Sequence, residues 1–246
     1  MSNIVYYVLS AFAVLITLTV HEYCHGYAAY KLGDPTARNA GRLTLNPIRH
    51  IDPFGALCMI FFHFGWAKPV PVNSRYLRNP RRDLAIISFA GPLSNFILSF
   101  FAAFIYLSLY AIFRNVSFSN EITLSIVENT ILFFQLFHLI NLGIALFNLI
   151  PIPPLDGSRI LGLILPPKIY FKVMSYERVI YYALLGWLFL GDRVSYFLLS
   201  SPIVASNPVL TAIARILSLS DMLGEAISAI SEAMIWLLRL IPFLNF

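Results

Sequence analysis

His21, Glu22 and His25 are the side chains in this sequence best spaced for chemistry. Positions four apart on a helix share one face, so two imidazoles can grip one metal ion with Glu22 beside it. This H-E-x-x-H spacing suits metal-assisted hydrolysis. A catalytic zinc takes three protein ligands and keeps one position open, so a third ligand must come from elsewhere in the chain. Bound zinc lowers the pKa of water to about 7, and a neighbouring carboxylate can take its proton and pass it to a leaving amine. Glu22 is that base, and peptide hydrolysis is the natural reaction.

The element that must carry this set is unusual. His21 follows an almost uninterrupted apolar run, Ile4–Val20. A carboxylate near mid-bilayer costs roughly 2.5–3.5 kcal/mol on insertion scales, so ionisable groups there usually serve function. The whole chain is 59% hydrophobic and 12% charged, with a mean hydropathy of +0.75. Such a composition excludes an ordinary soluble domain and predicts an all-α polytopic membrane protein, a transmembrane helix bundle. Spans are expected at residues 3–32, 84–113 and 125–150, with a further apolar run at 179–199. The first reads as a retained helix, not a cleaved leader.

Nine of the 17 lysines and arginines fall between Lys31 and Arg82, which reads as a cytoplasmic loop and not as a nucleic-acid surface. The N-terminus is then extracytoplasmic, and the first helix delivers His21 and His25 towards the cytoplasmic side. Prolines after Asn148 end the third span, and Asp156 follows as the chain re-enters the cytoplasmic half. Ligand spacing and orientation thus meet at one depth and nominate Asp156 as the third ligand. Two cysteines give no disulfide framework; Cys24 is read as buried filler before a metal ligand.

Residues 33–83 read as loop and strand, with alternation at Arg42-Leu43-Thr44-Leu45. Phe54–Trp66 is apolar but too short to cross, and is expected to form a small membrane-associated β or re-entrant segment, with an edge able to pair an unwound substrate. His50 and Asp52 look metal-competent but sit among prolines, which favours structural hydrogen bonds; His63 and His138 are read as satisfied core imidazoles. Arg75, Arg78, Arg81 and Arg82 read as an anchor at anionic headgroups. Glu225, Glu232 and Arg239 recur every seven residues, the pattern of an interfacial amphipathic helix, the favoured reading, or of a span whose polar stripe faces protein. Asn95 and Asn148 lie near helix ends, where they can bind an extended substrate or an oxyanion, or simply join helices.

Longer motifs surround these residues. His21-Glu22-x-x-His25-Gly26, Gly33-Asp34-x-Thr36-Ala37 and Gly41-Arg42-Leu43-Thr44-Leu45-Asn46-Pro47 through Asp52-Pro53-x-Gly55 resemble the site-2 protease family of intramembrane zinc metalloproteases, peptidase family M50. Gly91-Pro92-Leu93-Ser94-Asn95 is similar to its G-x-x-x-N element, and Asn148-x-x-Pro151 through Leu155-Asp156-Gly157 to its N-x-x-P-x-x-x-L-D-G element. The resemblance covers residues 15–165, in the family's order. It implies one Zn2+ on His21, His25 and Asp156, Glu22 as base, and substrate-binding roles for Asn95 and Asn148. It also implies transmembrane proteins as substrates, cut near the cytoplasmic side of the cell membrane. The chain departs from better-known members in having neither an inserted PDZ domain nor an attached CBS domain.

Residues 1–246 are therefore expected to form one membrane-embedded domain, a catalytic core over 3–165 followed by C-terminal helices over 166–246. A metal transporter and a non-proteolytic scaffold are the competing functions. The acid wedged between two histidines argues against the first, and the complete catalytic set argues against the second.

Overall fold

The structure is a computed structural model that describes residues 3–55 and 66–244. Among the described residues, three helices are long and apolar enough to cross a membrane: α1 (Asn3–Lys31), α2 (Pro80–Phe113) and α3 (Glu121–Leu149). At about 1.5 Å per residue each exceeds the roughly 30 Å hydrocarbon core. The chain continues through α4 (Asp156–Ile164), α5 (Pro167–Ser175), α6 (Glu177–Leu199), α7 (Pro208–Ile216) and α8 (Leu219–Leu238), joined by single helical turns and short loops.

Sequence chemistry sets the ends of the long helices. Pro80 opens α2, where its missing N–H is no loss, and Asp83 Oδ2 accepts the Asn79 N–H at 2.9 Å. Asn120 caps α3 by accepting the Ile122 N–H at 2.8 Å. Pro151, Pro153 and Pro154 cannot continue a helix, so α3 stops at Leu149 and the chain turns into α4 within a few residues.

Small residues let the three span-length helices approach closely. Ala13 of α1, Ala102 of α2 and Phe137 of α3 form one buried cluster. Nearer the site, Ala29 of α1 packs with Ile87 of α2 and with Leu77. A third cluster joins Ala103 and Leu107 of α2 to Leu238 of α8 and to Leu244.

Among the described residues there is no strand, which corrects the reading of Arg42–Leu45. That piece is turn and coil, because alternation alone supplies no partner strand. Asn46 instead caps a 3-10 turn at Pro47–Arg49. The one β contact among the described residues is an antiparallel bridge between Ile51 and Ala67, beside which the Lys68 N–H donates to His50 O at 2.8 Å. The expected re-entrant segment, with His63 in it, falls mainly on residues 56–65 and lies outside the described residues.

Two basic and polar features also differ from expectation. Arg81 binds protein: its guanidinium donates to the carbonyls of Gly162 and, at 2.8 Å, Leu165. It thereby fastens the end of α4 to the start of α2. The C-terminal helix α8 does present Glu225, Glu232 and Arg239 outward, but its other face is inside the bundle. Ser231 meets His138 Nε2 at 2.8 Å, and the same imidazole meets Ser99 Oγ at 2.8 Å. Those partners sit midway along α3 and α2, so α8 packs among the long helices and does not lie across their ends.

Candidate metal centre

Three helices bring the predicted ligands together. His21 and His25 project from one face of α1, and Asp156 is the first residue of α4. Their donor atoms form a triangle: Nε2 to Nε2 is 2.9 Å, His21 Nε2 to Asp156 Oδ2 is 3.1 Å, and His25 Nε2 to Asp156 Oδ2 is 3.2 Å. Two ligands about 2.0–2.1 Å from one tetrahedral ion stand about 3.3–3.4 Å apart, so the triangle fits zinc with slight expansion. Two imidazoles and one carboxylate are also the donor set of known catalytic zinc sites.

The third helix, α2, shapes the site. A Cβ on Gly91 would lie 2.5 Å from His25 Nε2 and 2.7 Å from His21 Cε1, so only glycine leaves room for both rings. One turn on, Asn95 reaches His21 Nδ1 at 3.1 Å. Pro92 deprives the Ser88 carbonyl of its helical donor. On the same stretch, Ile87 O accepts a hydrogen bond from His25 Nδ1 at 2.7 Å. That bond leaves Nε2 of His25 free to face the triangle.

Local backbone also places Asp156. A Cβ on Gly157 would come 2.3 Å from Leu149 O, so glycine permits α4 to start hard against the end of α3. Burial opposes ionisation of Asp156, but hydrogen bonds to His21 and His25 overcome it and draw the carboxyl down to about 2. It is therefore an anion throughout the neutral range. The side chain of Asp156 keeps 19% of its surface exposed, against 5% for His21, so the triangle opens on the carboxylate side.

Glu22 is held by backbone. Its Oε2 accepts the Val70 N–H at 2.8 Å. The segment around Val70 is pinned on both sides: Arg42 Nη2 donates to Lys68 O at 2.6 Å, and the Asn73 N–H donates to Asp34 Oδ2 at 2.6 Å. Asp34 is fully buried and also accepts the Thr36 N–H at 2.9 Å. Pro69 and Pro71 have no N–H, so Val70 offers the lone donor in that stretch.

Comparison with known proteins agrees with this geometry. The family model described as "Peptidase family M50" matches residues 9–191. This chain belongs to peptidase family M50. A Bacillus subtilis (strain 168) protein named "Putative zinc metalloprotease YwhC" is 40% identical over 182 residues, covering 72% of this chain and 80% of the relative. "Putative zinc metalloprotease Rip2" of Mycolicibacterium smegmatis is 28% identical over 58% of this chain and 52% of its own length. Rip2 of Mycobacterium tuberculosis (strain H37Rv) is 29% identical over 63% of this chain and 56% of its own length. No solved structure matches the chain. With three span-length apolar helices, this M50 peptidase is a membrane protein.

The remaining candidates of the M50 chain sort by position. Asn148 donates Nδ2 to Ile144 O at 3.0 Å, one turn back along α3. Asn95 is completely buried and turned towards His21. Cys24 is not part of the metal-competent group. His50 is buried with Nε2 donating to Thr44 O at 2.8 Å, and Asp52 Oδ1 accepts the Gly55 N–H at 2.8 Å, both structural roles. Sequence reasoning missed Val70, and it named Gly91 only as part of the G-x-x-x-N element, not for the room it leaves the two imidazoles. The alternation Pro69-Val70-Pro71 was the available signal for the first: an extended segment with a single free donor.

Proposed function

We propose that this M50 member is an intramembrane zinc metalloprotease that hydrolyses peptide bonds within or near transmembrane segments of membrane proteins. The observation that carries the reading is the convergence of His21, His25 and Asp156, with Glu22 between the histidines, on a helix of membrane-spanning length and composition. The relatives named as zinc metalloproteases support the same chemistry.

His21, His25 and Asp156 would hold one zinc ion, which when bound would supply Lewis-acid chemistry for a scissile carbonyl and for water. Glu22 takes the proton from the attacking water and returns it to the departing amine. The Val70 N–H on Oε2 fixes the carboxylate and leaves Oε1 for that exchange. Asn148, on the turn before the chain folds back to Asp156, binds the unwound substrate backbone. A helical peptide bond is masked by its own hydrogen bonds, so the substrate must lose helix locally at a wet, protein-lined cavity.

Positive charge gathers from Lys31 to Arg82, from the end of α1 to the start of α2, which supports a cytoplasmic loop and an N-terminus outside. His21 lies roughly 27 Å along α1, towards its cytoplasmic end. The protein thus sits as a multi-pass enzyme in the cell membrane, with its site near the inner face.

A tagged single-span substrate reconstituted with the enzyme in liposomes tests this directly. Mass spectrometry of the products should place the cut within the apolar span or at its cytoplasmic edge, and a zinc chelator should stop it. Cutting confined to soluble loops, or indifferent to chelation, would refute the proposal. A narrower test concerns the base. Val70→Pro removes the donor to Glu22 in a stretch already flanked by prolines, and should lower kcat about 10–100-fold, as a base misplaced by about 1 Å would. Val70→Ala keeps the N–H and should remain near wild type. Equal rates for the two variants would dismiss the role given to that bond.

A further inference from the structure

We infer that Asn95 is a positioning residue for His21, setting its ring orientation and tautomer, and not a residue that touches substrate. The inference rests on the proposed zinc site and deepens it.

Asn95 is fully buried, on α2 one turn beyond Gly91, and its amide stands 3.1 Å from His21 Nδ1. Nothing but protein surrounds it, so a passing substrate strand has no access. Its Oδ1 is buried and has no hydrogen-bond partner among the described residues. Packing alone would be served better by Leu, which carries no polar atom to strand. The residue type at this position therefore demands a polar reason, and among the described residues the hydrogen-bond partner of its amide is His21.

The chemistry of imidazole supplies that reason. The amide end nearest His21 Nδ1 is Nδ2, which donates, while His21 Nε2 meets Asp156 Oδ2 at 3.1 Å and donates in turn. That pairing puts the ring proton on Nε2. A ring whose Nε2 lone pair is given to a metal must carry its proton on Nδ1 and then needs an acceptor behind it. Half a turn of the amide about its own bond presents Oδ1 to Nδ1 and meets that need in place. Asn is the side chain of this size with a donor at one end and an acceptor at the other, so one residue serves both tautomers. His25 is supported differently: its Nδ1 donates to the fixed carbonyl of Ile87. The two ligands thus have one rigid and one reversible partner.

The experiment is zinc affinity measured by chelator competition on the full-length protein in detergent, without substrate, for wild type, Asn95→Ala and Asn95→Asp. Asn95→Ala should bind zinc about 10–100-fold more weakly, the usual cost of losing the partner behind a ligating histidine. Asn95→Asp, an acceptor only, should bind at least as tightly as wild type. In 15N spectra of the zinc-loaded protein, His21 should show a protonated Nδ1 in wild type and Asn95→Asp. Unchanged zinc affinity in Asn95→Ala, with KM raised instead, would overturn the inference in favour of substrate binding. A wild type that binds no zinc would overturn the zinc site itself, a distinguishable result.

Discussion

Glu22→Gln should abolish cleavage of a transmembrane substrate while leaving zinc bound. Loss of a general base costs about 10²–10⁴-fold in rate. Gln matches Glu in shape, and an amide can still accept the Val70 N–H that holds Oε2 at 2.8 Å. Its side chain is also no member of the ligand triangle. Rate and metal content should therefore separate: one falls by orders of magnitude and the other stays. Turnover equal to wild type would remove Glu22 from the mechanism. Loss of zinc together with activity would mean that Glu22 maintains the site and is not its base. The inactive variant should also retain uncut substrate, and that complex would identify the natural clients.

Asp156→Ala should lower zinc affinity by more than about 100-fold, beyond the loss expected for a partner one step removed from the metal. The carboxylate supplies the one negative charge among the three ligands, and it approaches both imidazoles within 3.2 Å. Removing it leaves two neutral donors on one helix, which can hold the ion but cannot fix its third position. Asp52→Ala is the matched control, since Asp52 Oδ1 accepts a backbone N–H from Gly55 and belongs to no ligand group. Similar affinity losses in the two variants would show general destabilisation in place of lost coordination.

The sequence made the metal-competent group legible because its signals are local and of different kinds. The i, i+4 spacing of His21 and His25 needs only helix geometry. Asp156 needed an argument about depth, and the prolines that end α3 at Leu149 are what return it to the level of His25. The three span-length helices followed from apolar runs, with starts misplaced by a few residues: Pro80 and Asn120 begin or cap helices four or five positions ahead of the apolar stretch. Propensity at a helix start lies in caps and prolines, not in hydropathy.

What escaped reading depends on contacts between distant segments. Arg81 is indistinguishable in sequence from its neighbours Arg78 and Arg82, yet it alone of the three is seen binding the α4 carbonyls. The alternation at Arg42–Leu45 resembles a strand, but pairing requires a partner that pattern cannot supply. The charged stripe on α8 was visible, whereas the Ser231 that docks its opposite face is an unremarkable serine until His138 is placed against it. Val70 acts through a backbone N–H, which no residue type advertises, and Gly91, visible in its motif, acts through an absent side chain whose value shows only once both rings are placed against it.

Zinc K-edge X-ray absorption on the loaded protein addresses the coordination most directly. It should show a four-coordinate ion with nitrogen and oxygen neighbours at about 2.0–2.1 Å, imidazole scattering from two rings, and the loss of one oxygen neighbour in Asp156→Ala. A sulfur neighbour at about 2.3 Å, which would bring in a cysteine, or a shell unchanged by Asp156→Ala, would contradict a centre built from His21, His25 and Asp156.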